Sequence, residues 1–237
     1  MVIMPKNLQT DSSREWFRLA CLFFATILAT PCRASAVSPE NPTSLKDFVR
    51  TLESSYRDVK TLRADFVQTH QWSGRTRVES GTVSFARGGL MRWAYRDPKE
   101  KLFVASRRQV FLYVPEDNRV TRSSVKSSED IRVPFRLLLS RLNLGKVFEK
   151  MEFADDALKA EPGNRVLRGI PKKGQQETYD DVLIEVTPSF DICRLVVAYA
   201  DRSRMEFLFR RIERNAALSP RLFDFTPPPG AEIIDQE

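Results

Sequence analysis

Histidine and cysteine are nearly missing from this chain. One histidine, His70, and three cysteines occur among 237 residues, and two of those cysteines, Cys21 and Cys32, fall within the first 36 positions. No His/Cys cluster with zinc-binding spacing can be assembled from such a set. The chain also lacks a G-x-S-x-G elbow, an H-E-x-x-H pair and a G-x-x-x-x-G-K-[ST] phosphate loop. No apolar run reaches the roughly 20 residues that a membrane-spanning helix needs. These absences point away from catalysis, so the expectation is a protein that is not an enzyme and uses no cofactor and no metal.

What is present begins with a leader. Lys6, Arg14 and Arg18 supply a positive start, Leu19 to Leu28 forms a short apolar run, and Ala34-Ser35-Ala36 offers a small-x-small cleavage pattern. This is the layout of a secretory signal, so residues 1–36 are expected to be removed and the protein to work in the periplasm. Cys32 is a poor lipidation site because Pro31 precedes it. Cleavage after Ala36 takes 36 of 237 residues and leaves 201, enough for one domain with a sizeable core. It also takes four of 38 basic and two of 31 acidic residues, leaving a net charge of +5. Cys193 then has no disulfide partner within the chain. Export argues against nucleic acid, and a mild positive field suits acidic partners or anionic envelope surfaces.

Residues 37–43 read as a linker and 44–237 as a single domain. Leu45, Phe48, Val49, Leu52, Tyr56 and Val59 fall on one helical face behind Ser44, a capping residue with Asp47 three positions on. A helix of about four turns is expected there. Strands follow at Leu62–His70, Gly81–Arg87, Met91–Tyr95, Leu102–Ser106 and Gln109–Val114, divided by Gly, Pro and Asn/Asp turns. Phe135, Leu138, Leu139 and Leu142, behind Pro134, predict a second short helix. Further strands are expected at Arg165–Ile170, Val182–Thr187, Ile192–Ala200, Met205–Ile212 and Leu222–Phe225. With no βαβ alternation, the fold class is mainly β: an unclosed, highly curved antiparallel β-barrel, or half-barrel, with the two helices covering a hydrophobic cavity. Periodicity alone reads an apolar strand face as packed core.

Several pieces resemble a known family. Ala64-Asp65-Phe66-Val67-Gln68, Gly81-x-Val83-x-Phe85-x-Arg87, Met91-Arg92-Trp93, Pro98 and Leu112-Tyr113-x-Pro115 follow one another in the order of LolA-type outer-membrane lipoprotein carriers. Asn215 and Phe223-Asp-Phe-Thr-Pro-Pro-Pro-Gly230 are similar to the closing F-x-F-x-P-P-x-G segment of that family. The resemblance implies acylated lipoproteins as cargo, received from an inner-membrane ABC transporter and passed to an outer-membrane acceptor by a monomeric carrier. It implies an arginine latch that holds the lid by bonding backbone carbonyls, and Arg87 occupies that position, with Gly88 where the family usually has proline. Acyl chains are expected to meet Phe66, Phe85, Met91, Trp93, Phe111 and Tyr113 from the front strands. Leu138, Leu139 and Leu142 would contact them from the lid, and Ile184, Met205, Phe207 and Phe209 from the rear. A one-residue slip in any strand would turn its share of this lining outward.

The alternative is a lipid- or lipoprotein-sensing regulatory module of the same half-barrel shape. His70, beside Trp72, reads as a strand-end polar residue, and Cys193 as a small core residue. The acidic pairs Asp180-Asp181 and Glu129-Asp130 read as solvated loops.

Overall fold

A computed structural model describes residues 44–125, 142–172 and 179–236. All of them fall within one compact unit, Pro39–Glu237. The expected signal and linker, residues 1–43, lie outside the described residues, as does nearly all of the expected second helix with Leu138 and Leu139.

Ser44 opens helix α1 (Leu45–Ser55) by accepting the Asp47 amide at 3.1 Å and donating its hydroxyl to the Asp47 carboxylate at 2.7 Å. The helix has 11 residues, three turns rather than four, because the chain turns at Tyr56 to reach the first strand. A short helix α2 (Leu144–Val147) is capped by Asn143. Its first amide donates to the Glu53 carboxylate of α1 at 2.8 Å.

Twelve strands form one sheet: β1 (Thr61–Trp72), β2 (Arg75–Ala86), β3 (Leu90–Asp97), β4 (Lys101–Ala105), β5 (Gln109–Val114), β6 (Arg119–Ser124), β7 (Phe148–Phe153), β8 (Arg165–Pro171), β9 (Tyr179–Val186), β10 (Ile192–Tyr199), β11 (Arg204–Arg214) and β12 (Glu232–Gln236). Their order is β12-β6-β5-β4-β3-β2-β1-β11-β10-β9-β8-β7, so the two ends do not meet and the barrel stays unclosed. The sheet is mixed, which corrects the all-antiparallel expectation: β12 runs parallel to β6. The cause is the route of the chain. After β11 it crosses the sheet as a loop that includes a 3-10 turn, Pro220–Phe223, and a parallel partner needs such a crossover. That turn occupies the place where a strand over Leu222–Phe225 was expected.

Three strands, β6, β7 and the exposed β12, escaped the periodicity. In β6, Arg-Val-Thr-Arg-Ser-Ser, only Val120 is buried, so there is no apolar alternation to read. In β7, Phe148 and Phe153 are five positions apart, which puts them out of phase.

The core gathers on the concave side, where Phe66, Phe85, Met91, Trp93, Ile184, Leu195 and Phe207 join Phe48 and Leu52 of α1 and Tyr56 just after it. Gly81 permits the tightest approach within it. A Cβ there would lie 2.0 Å from the Ala94 carbonyl oxygen, across an irregularity in the β2–β3 ladder. Gly81→Ala is therefore expected to lower stability by about 1–3 kcal/mol, read as a shift in the midpoint of urea unfolding without a change in slope. An unchanged midpoint would show that β3 yields freely at this point.

Candidate functional site

Trp93 is the hub of the concave face. Its ring lies 4.7 Å from Phe66, 5.7 Å from Phe85, 5.4 Å from Phe207 and 6.3 Å from Phe209. The registers explain why these rings meet. Phe66 stands opposite Phe209 in the β1–β11 ladder, Phe85 opposite Met91 in β2–β3, and Leu195 opposite both Ile184 and Phe207. Phe66, Phe85, Met91, Trp93, Ile184, Phe207 and Phe209 are all buried, Met205 is half-buried, and Leu142 packs against the same cluster just outside α2.

Phe111 and Tyr113 lie elsewhere. In the β4–β5 ladder Phe103 and Ala105 continue the concave face, so Val110 is the inward residue of β5, while Phe111 and Tyr113 share the opposite face with Val104. There Phe225 packs on both, at 5.2 and 5.9 Å, and Arg92 donates to the Leu222 carbonyl at 3.3 Å. The crossing segment gives this part of the sheet an apolar cover on its convex side. Both faces of β5 are therefore apolar, and alternation cannot say which is inner. Sequence reasoning left Val110, Leu195 and Val197 out of the lining, whereas it read Phe48, Leu52 and Tyr56 as the apolar face of the covering helix. The face of α1 was legible as an apolar stripe. Leu195 and Val197 sit in a strand buried at six successive positions, where no parity exists to be read.

Above this face α1 is tied down at its C-terminal end. The Tyr56 hydroxyl accepts the Ile192 amide at 2.9 Å, and burial pushes its pKa up to about 12. Arg214 lies 4.5 Å over the Tyr56 ring and donates to the Ser55 carbonyl at 3.2 Å and to that of Phe190. Arg87 donates through Nε to the Val59 carbonyl at 2.9 Å and through its terminal nitrogen to the Arg57 carbonyl. Toward its N-terminal end α1 is held by packing, with Phe48 5.5 Å from Phe153 and 5.2 Å from Phe190. Gly88, beside Arg87, has φ +88°, which proline cannot adopt. The turn here is thus of a kind that the family's usual proline would not form.

At one end of the concave face the rings give way to a polar collar. Tyr95 donates to the Gln68 side chain at 2.8 Å, and Lys101 pairs with Glu79 at 2.6 Å while lying 4.2 Å over the Tyr95 ring. Burial, and after it the Glu79 charge, push the Tyr95 phenol above its ordinary range.

A recess of about 510 Å³ opens on the convex side beneath the β7–β8 loop, lined in part by Lys159, Asn164, Cys193, Arg194, Glu206 and Arg210. Part of its wall is a network of hydrogen-bonded charged groups. The buried Glu185 carboxylate accepts from the Ala160 amide and from Asn164 at 2.7 Å each, and from Arg194 at 3.0 Å; Arg194 also reaches Glu206 at 2.8 Å. This clasp holds the loop to the sheet.

A helix packed over the apolar concave face of an unclosed, curved sheet defines a class of half-barrel folds. Residues 57–226 match the family described as outer membrane lipoprotein carrier protein LolA. The outer-membrane lipoprotein carrier protein of Methylibium petroleiphilum is 30% identical over 193 residues, covering 80% of this chain and 90% of that one. That of Nitrosospira multiformis is 28% identical over 191 residues, covering 79% and 88%. An uncharacterized conserved protein from Thermus thermophilus shares the fold, with a TM-score of 0.50, 10% identity and coverage of 81% of this chain and 100% of that one. The chain belongs to the LolA family.

Cys193 is buried in the wall of the convex recess. Burial first, and then the Glu185 charge, push its thiol up to about 12. Native protein at neutral pH should therefore resist alkylation by iodoacetamide and react within minutes once unfolded in urea. Rapid labelling of the native form would show that the β7–β8 loop opens readily.

Proposed function

We propose that this protein carries lipoproteins through the periplasm by sheltering their acyl chains against the concave face, taking them from an inner-membrane ABC transporter and giving them to an outer-membrane acceptor. Residues 1–36 serve as the cleaved signal for export, and no covalent chemistry takes part. The supporting observation is the pose of α1: it covers a hub of aromatic rings, packs by apolar contact toward its N-terminal end, and is pinned at its C-terminal end, where Arg87 holds two backbone carbonyls.

The energetics give the carrier its reason. A buried methylene is worth about 0.8 kcal/mol, so one chain of about 16 carbons costs on the order of 10 kcal/mol to hold in water. A hollow covered by a helix offers that chain an exchange of contacts, apolar for apolar, while the core tyrosines and phenylalanines repack around it. Met91 and Met205 suit a guest of variable shape. As α1 lifts from the concave face, the contacts that Arg87 makes just beyond its C-terminal end are lost, and their return on closing helps to expel the guest. Arg87 thus acts on release rather than on uptake.

Incubating the protein with spheroplasts that synthesise labelled lipoproteins should release them in a one-to-one soluble complex, and a fluorescent fatty-acid analogue should brighten on binding. Well-folded protein that does neither would turn the reading toward a sensing module. Arg87→Leu is expected to leave uptake intact and to slow hand-over to acceptor about tenfold, the equivalent of about 1.4 kcal/mol of lost closing energy. Unaltered hand-over would remove Arg87 from the mechanism.

A further inference from the structure

The concave face does not end at the polar collar. In the β1–β2 ladder Phe66 stands opposite Gly81, Gln68 opposite Glu79, His70 opposite Arg77 and Trp72 opposite Arg75. Alternate residues of a strand share a face, so this one column runs from the buried ring of Phe66 through the collar to His70, Trp72, Arg75 and Arg77. Strand β3 pairs with β2 only from Ser80 onward. The last rungs of the hairpin therefore extend past β3, and a two-residue turn closes them, with Ser73 at φ +44° and Gly74 at φ +75°. That turn type matches strand twist and keeps the tip stiff.

The tip has an ordered surface of its own. The His70 and Trp72 rings stack at 4.5 Å, and the Arg77 guanidinium lies 5.5 Å over the indole. His70 and Trp72 are half-buried by these contacts, whereas Arg75 and Arg77 are exposed. Among the described residues neither arginine is paired with a carboxylate; the nearest acid on this face, Glu79, is already held by Lys101. Beside the tip, the β10–β11 turn adds the exposed Arg202 and Arg204, and its Asp201 is engaged by the Ser203 amide at 2.8 Å.

We propose that the β1–β2 tip docks the protein on an anionic bilayer surface, with Arg75 and Arg77 taking lipid phosphates and Trp72 resting at head-group depth. Guanidiniums match phosphate oxygens in fork geometry, and an indole with an apolar body and one N–H favours the boundary between head groups and chains. A stiff convex tip meets a flat surface better than it encloses a peptide, which is why a membrane rather than an acidic protein is the partner inferred. The docked pose would set the end of the concave face against the leaflet, where acyl chains leave or enter the protein. The inference rests on the carrier reading only for that last point, and docking without cargo is measured separately.

The test is co-sedimentation of protein, purified from the envelope of cells expressing the full chain, with vesicles of phosphatidylcholine alone or mixed with phosphatidylglycerol. Binding is expected only with phosphatidylglycerol, weakening as salt is raised. Arg75→Gln/Arg77→Gln should lower partitioning roughly thirty-fold, while Arg63→Gln/Arg210→Gln, which removes the same charge far from the tip, should leave it nearly unchanged. Trp72→Ser should abolish contact with brominated acyl chains, read by fluorescence quenching. Equal loss in both arginine pairs would overturn the proposal, as would absence of vesicle binding by protein that binds polyglutamate. Binding of the fluorescent fatty-acid analogue, measured on every variant, shows that each is folded. If that uptake fails in the unaltered protein while the tip still docks, the carrier reading falls and this one stands.

Discussion

An unclosed sheet cannot cover its own apolar face, and among the described residues the three-turn helix α1, with Leu142 and Leu144 beside it, does the covering. Everything on the concave side is arranged around that fact. Phe48, Leu52 and Tyr56 supply the surface that meets the hollow, and Arg87, Arg214 and the Ile192 amide hold only the last turn and the residues just beyond it. A closed barrel of the same strands would have no such joint. The sheet ends at β12 on one side and at β7 on the other, and these edges do not meet.

The two faces of the sheet follow different physics. On the concave side contacts are largely aromatic and non-directional. On the convex side the β7–β8 loop is fastened by a buried carboxylate with several donors, Glu185, and by an arginine shared between two acids. Such bonds are directional, and leaving one of their partners bare in the interior costs several kcal/mol, about 3–5 in measured cases. The convex side is therefore fastened by directional bonds and the concave side by packing. A further segment, Leu222 to Phe225, braces the convex side over β3 to β5.

Much of this was legible in the amino-acid order, and the parts that were not have identifiable causes. Strands with one wet face, such as β1, β3 and β11, alternate cleanly, and Phe66, Trp93, Phe207 and Phe209 share the inner face at the hub. Strand β5 has apolar residues on both faces because the crossing segment shields its back, so Phe111 and Tyr113 looked like lining when they are the seat of Phe225. Strand β10 is buried at its first six positions and carries no parity there. The parallel pairing of β12 depends on where a loop lands after crossing the sheet, a long-range outcome with no local signature. Arg87 was placed by resemblance; its two carbonyl partners lie 28 and 30 residues away, and nothing in the spacing alone would have named them.

The central strand β1 finds one neighbour, β2, a few residues on, but the other, β11, lies far along the chain, with Leu62 opposite Arg214. Until almost the whole polypeptide has emerged, β1 has one unsatisfied edge and the halves of the sheet have no common spine. Contacts of such wide sequence separation form late and slowly. A chain built this way completes its apolar interior only when the last part of the sheet arrives to enclose it.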